Sequence, residues 1–202
     1  MKYSFSVHLL LVFISLKLIV SKDVFVDAVL TEKNGNSYPT LNQAIVALLN
    51  DDIQNTITLK ASCAGTEQYL FRPYQNLIGS MQNASLTIMF ENAPPSIDNV
   101  DLCNRLPTLV LGNNSCLYIS NFSSFTIVGL NIQYIGDTCT NFLTDIRTLT
   151  FSNFCFNNSE PSKSLAAGVL PYIEISSVGA LSMINGIYIY DAVKEVWIHR
   201  TK

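Results

Sequence analysis

Apolar and polar residues follow a helical period in one stretch of this chain and a period near two in most of what comes after. The helical stretch begins at Thr40. Leu41, Ala44, Ile45, Leu48 and Leu49 recur at i, i+3, i+4, i+7 and i+8 and form one apolar face, while Asn42, Gln43 and Asn50 fall mainly on the other side. Thr40 and Gln43 fit a capping box, in which each side chain satisfies a backbone N–H of the first turn. Asn50-Asp51-Asp52 predicts the end of the helix. Leu41, Ile45 and Leu48 are its predicted core, and their burial contributes roughly 5–9 kcal/mol as an upper figure. A lone helix of this length is marginal in water, so it must pack on its neighbours. Those neighbours are a predicted strand over 24–29, a turn over 33–37 where Asn and Gly tolerate positive φ, and a strand over 56–60 (TITLK).

From there the sequence predicts strands and no second helix. Short β-rich runs stand at 85–90, 108–111, 116–119, 125–133, 148–156, 172–175, 181–190 and 195–199, separated by clusters of Asn, Ser, Gly and Pro. Three of them share a finer pattern: FTIVGLNI, LTFSNFCF and LSMINGIYI each alternate, pause at Gly129, Asn153 or Asn185-Gly186, and alternate again. The pause residues suit a corner in the left-handed conformation. The interval is 24 residues from Gly129 to Asn153 and 32 from Asn153 to Asn185, a loose repeat with insertions of variable length. An antiparallel sandwich is the competing architecture, but tight two-residue hairpin signals are scarce. The expected fold is all-β: a right-handed parallel β-helix (solenoid) of five or six coils with a single N-terminal capping α-helix. Residues 1–21 are read as a signal peptide, 22–55 as the cap, and 56–202 as the coils.

Composition narrows this picture. The chain has 202 residues, 49% hydrophobic and 13% charged, with a formal charge of −3. Low charge with high apolar content argues against disorder, and a mildly acidic chain is a poor match to nucleic acid. Residues 1–21 carry Lys2, an apolar run and the small Ser21 before a predicted cut. Lys17 interrupts the run, leaving it short of a bilayer span, and no later stretch is apolar enough for one. Secretion places Cys63, Cys103, Cys116, Cys139 and Cys155 in an oxidising compartment, where disulfides persist and an odd count leaves one thiol over. Asn83, Asn113, Asn121 and Asn157 begin N-x-S sequons and are predicted glycan acceptors on exposed turns.

The segment over 24–61, VFVDAVLTEKNGNSYPTLNQAIVALLNDDIQNTITLKA, resembles the opening of pectin-lyase-like right-handed parallel β-helix proteins, where a strand, a capping helix and a first strand seal the end of the helix. FCFNNSE followed by AAG and YIEISS resembles the FxxN and GGAI-type repeats of surface β-helix proteins, with Ala-Ala-Gly in place of Gly-Gly-Ala. The resemblance implies a fold and leaves activity open. The Asn-Thr-Asp and Gly-His-Gly motifs of polygalacturonases are missing. Ser62 to Tyr69 only echoes the pectinesterase loop. Val196-Trp197-Ile198-His199 lacks the Asp that the pectate lyase motif places before His, and with it the calcium-related chemistry.

No catalytic residue and no metal ligand set emerges. The chain has no CxxC and two histidines, His8 and His199, so neither a zinc site nor a Ser/His/Asp triad is read. No Gly-rich phosphate loop is present, and no cofactor is expected. Asp98/Asp101, Asp191/Glu195, Asp137, Asp145 and Glu174 are the carboxylates weighed for glycosidic cleavage. Tyr69, Phe71, Tyr74, Tyr118, Tyr134, Tyr188 and Tyr190 are weighed as a sugar-stacking face. The functional expectation is a secreted or cell-surface, non-catalytic module that binds glycan or protein partners. The alternatives are a polysaccharide-active lyase, esterase or hydrolase, and a truncated product without independent function. The strand at Val196 lies at the end of the sequence without a cap, so a partner or missing sequence is expected over Trp197 and Ile198.

Overall fold

The computed structural model describes residues 21–48, 54–69, 75–78, 84–112, 117–135, 141–158, 173–190 and 196–199. They form a mostly parallel β protein with few helices. The larger sheet contains β1 (Ser21–Val26), β2 (Ser37–Tyr38), β3 (Gln54–Leu59), β5 (Gln75–Ile78), β6 (Ser85–Phe90), β8 (Leu117–Val128), β10 (Asn141–Ser152) and β12 (Ile173–Ile184). Its order is β12-β10-β8-β6-β3-β1-β2, with β5 also paired to β8. The smaller sheet contains β4 (Glu67–Tyr69), β7 (Thr108–Gly112), β9 (Asn131–Ile135), β11 (Cys155–Asn158), β13 (Gly186–Tyr190) and β14 (Val196–His199), in the order β14-β13-β11-β9-β7-β4. From β6 to β13 the chain alternates between the sheets, so the parallel neighbours β6, β8, β10 and β12 are each reached through one strand of the smaller sheet.

Two parts of the expected fold are corrected. A right-handed parallel β-helix is not what the described residues form: they make two parallel sheets and no closed helix. Nor is there a single helix. Besides α1 (Leu41–Val46), a second helix α2 (Val100–Cys103) follows β6, capped by Asn99, whose side chain accepts from Leu102 N at 3.0 Å. One turn of helix is too short to show a 3.6-residue period, which is why the pattern missed it.

Helix α1 is built as its sequence suggests. Thr40 is extended at φ −137°, and its hydroxyl accepts from Gln43 N at 3.3 Å. Leu41, Ala44, Ile45 and Leu48 are buried. Lys22 closes the other end by donating from Nζ to the Ala47 carbonyl at 3.0 Å, a cation at the negative pole of the helix. The helix ends at Val46 with Ala47 as its C-cap, short of the stop predicted at 50–52, which lies outside the described residues. The strand assigned to the cap is a full member of the larger sheet: β1 pairs with β3 from Ser21↔Gln54 to Val26↔Leu59. The predicted turn returns the chain through Gly35 at φ +58° to β2.

The core lies between the sheets and is filled by alternate residues of each strand. One inward column runs Val24–Ile57–Ile88–Ile127–Phe151, all buried, and beside it stand Leu86, Phe125 and Leu149. The pause residues turn the chain from one sheet to the other: Gly129, Asn153 and Asn185 have φ of +69°, +49° and +52°. A second pair of left-handed residues, Asn121 at +61° and Asp145 at +53°, bends the long strands β8 and β10 in their middle. The last strand, β14, runs antiparallel to β13, with Trp197 opposite Tyr188. Among the described residues the far edge of the larger sheet is β12, where Leu181 is 48% exposed.

Candidate binding face

Parallel pairing lines up equivalent positions of successive strands into columns. With Val24, Ile57, Ile88, Ile127 and Phe151 turned inward, the residues on either side of them face outward. The residue just before each inward one forms a continuous column across six strands: Asp23↔Thr56↔Thr87↔Thr126↔Thr150↔Ser182. At about 4.8 Å per strand this column is about 24 Å long. Its residues are exposed at Asp23 and partly exposed from Thr56 to Ser182.

Two parallel columns flank it. On the N-terminal side of the strands stand Ser21, Gln54, Ser85, Ser124, Thr148 and Ala180. On the C-terminal side are Phe25, Thr58, Met89, Val128, Ser152 and Ile184. The result is a face of short hydroxyl side chains beside a more apolar strip. Its single charged residue is Asp23, at one edge. Valine-like branching at Cβ holds each Thr in few rotamers, so the hydroxyls are positioned before any ligand arrives.

A charged stack borders the face where β1, β3 and β6 end. Asp27, Lys60 and Glu91 directly follow the paired residues Val26, Leu59 and Phe90. Lys60 Nζ lies 3.1 Å from Glu91 Oε2 and 4.5 Å from the centre of the Phe25 ring. Glu91 also accepts from Ala61 N, and this backbone donor, followed by Lys60, holds its carboxyl below the usual range. Ser62 donates to Asp27 Oδ1 at 2.6 Å and accepts from Ala28 N at 3.0 Å. These groups satisfy one another. Glu91, kept ionised, is unsuited to act as a general acid near neutral pH.

The residues weighed from the sequence are placed as follows. Leu41, Ile45 and Leu48 are buried under the sheets' first strands. Cys103 on α2 and Cys155 on β11 form a disulfide, with Cα atoms 5.7 Å apart. Cys63 is a free, buried thiol that donates to the Val26 carbonyl at 3.4 Å, and burial pushes its pKa up. Cys116 and Cys139 lie outside the described residues, as do Asn83 and Asn113. Asn121 sits at the left-handed bend of β8, half-buried, with Ser123 of its sequon donating to the Ala84 carbonyl at 2.6 Å. Asn157 lies in β11.

Among the described residues the weighed carboxylates Asp98, Asp101, Asp145 and Glu174 stand on or beside three different elements, α2, β10 and β12. Asp98 and Asp101 are exposed around the start of α2, Asp145 occupies the bend of β10, and Asp137, Asp191 and Glu195 are outside the described residues. Among the described residues no group of three His, Cys, Asp or Glu is placed to hold a metal ion. Of the tyrosines, Tyr118 is half-buried on β8. No described helix is long and apolar enough to cross a membrane.

The hydroxyl column was not found by sequence reasoning. Its signal was present: a Thr or Ser directly precedes the inward residue in TITL, LTIMF, FTIV, TLTF and LSMI, buried in the first four and partly buried at Met183. Intervals of 31, 39, 24 and 32 residues between these hydroxyls hid their common register. No protein-family model matches the chain, and no curated protein or solved structure matches it.

Proposed function

We propose that this protein is an extracellular, non-catalytic module that binds glycan on the outer face of its larger sheet. The observation that carries this reading is the charge-free hydroxyl column Thr56–Thr87–Thr126–Thr150–Ser182 with its apolar flank. Sugars present hydroxyls at their edges and C–H groups on their faces, and this surface offers a partner for each. Residues 1–21 serve as the secretory signal in this reading, so the mature face begins at β1 without Ser21, and Asn83, Asn113, Asn121 and Asn157 serve as glycan acceptors. The Cys103–Cys155 disulfide supports an oxidising compartment. The test is a glycan array probed with the secreted chain, paired with a product assay on polysaccharides. Binding without product is expected. Release of reducing ends or unsaturated uronides would place the protein among polysaccharide-active enzymes instead.

A protein partner is the second reading, favoured by the edge of β12 with Leu181 exposed. An edge strand of this kind accepts a strand from another chain. Sedimentation of the purified chain with and without Leu181→Lys tests it: a shift from assembly to monomer supports the edge as an interface, and a monomer in both cases removes this reading.

A further inference from the structure

We infer that the ligand of the outer face is the ordered surface of a neutral, insoluble polysaccharide. The inference rests on the glycan reading above and narrows it in charge and in physical state.

Charge comes first. Of the outward positions on β1, β3, β6, β8, β10 and β12 in the three columns, Asp23 alone is charged, and none is Lys or Arg. Lys60, the nearest cation of the bordering stack, is engaged by Glu91 at 3.1 Å. The three columns offer a uronate or sulfate polymer no cation, Arg147 being exposed beside Thr148 but outside them, and Asp23 repels it. A neutral polymer meets no such opposition.

Physical state follows from shape. The face is a parallel sheet whose central column carries only the short side chains of Asp, Thr and Ser. One soluble chain laid along Thr56, Thr87, Thr126 and Thr150 gains a few hydrogen bonds, each worth about 0.5–1.5 kcal/mol net, and leaves its other sides in water. It also loses its own chain entropy on being straightened. Packed chains in a solid have already lost that entropy. They repeat in two directions, as this face does: about 4.8 Å from strand to strand and about 6.7 Å from one outward residue to the next. Many weak contacts then form together, and their joint strength grows as in any multivalent attachment. The strip of Phe25, Met89, Val128 and Ile184 beside the hydroxyl column adds burial against the C–H faces of neighbouring sugars.

The experiment uses the secreted full chain. It is mixed with microcrystalline cellulose, with crystalline chitin and with insoluble polygalacturonate, and soluble hexasaccharides of each are added as competitors. The variants are Thr126→Lys, the triple Thr87→Val, Thr126→Val, Thr150→Val, and Thr126→Ser. Valine keeps the β-branched shape and removes the hydroxyl, so the strands are retained. Thermal midpoints are recorded for each. The expected result is retention on cellulose or chitin, with the arm that retains the protein identifying the sugar. Retention is insensitive to salt, is displaced poorly by hexasaccharides, falls roughly tenfold or more in the triple variant and in Thr126→Lys, and is kept in Thr126→Ser. If the triple variant does not fold, the contrast between Thr126→Lys and Thr126→Ser decides alone. Equal retention of Thr126→Lys and the parent chain overturns the proposal, as does stronger retention on polygalacturonate. Binding of soluble glycans without retention on either neutral solid overturns this proposal and leaves the glycan reading standing. Absence of binding to every glycan, soluble or solid, overturns both.

Discussion

Asn185 donates from its side-chain amide to Oδ1 of Asn153 at 3.1 Å, and both residues stand in the left-handed region. They occupy the same corner on successive passes of the chain, and Asn153 N donates to the Ile184 carbonyl at 2.9 Å. Asn185 also reaches the Pro95 carbonyl at 3.4 Å. Asparagine serves here because it tolerates positive φ and carries an amide able to both donate and accept. Replacing Asn153 with Val removes the amide acceptor and forces a β-branched residue to φ +49°. A loss of about 1–3 kcal/mol is expected, read as a lower urea midpoint, while Asn153→Gly restores part of it.

Gly129 holds the equivalent corner one pass earlier, at φ +69°. A Cβ there would lie 2.4 Å from Ala93 Cβ and 3.1 Å from its Cα. Strain and overlap act together, so Gly129→Ala is expected to cost about 2 kcal/mol or more. Chemical denaturation of the variant alongside Gly35→Ala checks the assignment. Gly35 shares the positive φ but would meet no atom within 4 Å, so the difference between the two variants reports the Ala93 contact.

The Cys103–Cys155 bond closes a loop across 52 positions and ties α2 to β11. Restricting the unfolded chain over that distance stabilises the fold by about 4 kcal/mol in the loop-entropy account. The double variant Cys103→Ser, Cys155→Ser is therefore expected to unfold at a clearly lower denaturant concentration. An unchanged midpoint would mean that the bond adds nothing in solution.

Glu91 gives the stack at the ends of β1, β3 and β6 a pH signature. Its folded-state pKa lies below its ordinary value of 4.5, through the Ala61 N–H first and Lys60 second. For an acid with a depressed pKa the stabilisation is fully present above the unfolded value and is lost as pH falls through the folded one. Thermal midpoints of the parent chain should fall more steeply below about pH 4.5 than those of Glu91→Gln, and the two curves should differ at neutral pH and converge in acid. The effect is small because the pair is partly open to solvent.

Much of the local structure was legible beforehand. Thr40 announced α1, Leu41, Ile45 and Leu48 its buried face, and Gly129, Asn153 and Asn185 the corners, because capping, helical period and positive φ are local properties of the chain. Other features were not legible. Helix α2 is one turn long and leaves no period. The long strands β8 and β10 run through Asn121 and Asp145, which fall outside the predicted runs at 116–119, 125–133 and 148–156 because a left-handed residue breaks the alternation there. Cys103 and Cys155 are far apart in sequence, and nothing in their spacing selects one partner over another.

The sequence by itself determined which residue of each strand is buried, since alternation of apolar and polar positions follows from the two-residue repeat of an extended chain. It equally determined where the chain can turn, since few residue types accept left-handed backbone. Only the tertiary structure decided which strands are neighbours. Thr56, Thr87, Thr126, Thr150 and Ser182 are ordinary outward residues in five separate segments until parallel pairing sets them side by side. Register between distant strands depends on the lengths of the connections and on packing between the sheets. No local pattern carries that information, and so the hydroxyl column exists only in the folded molecule.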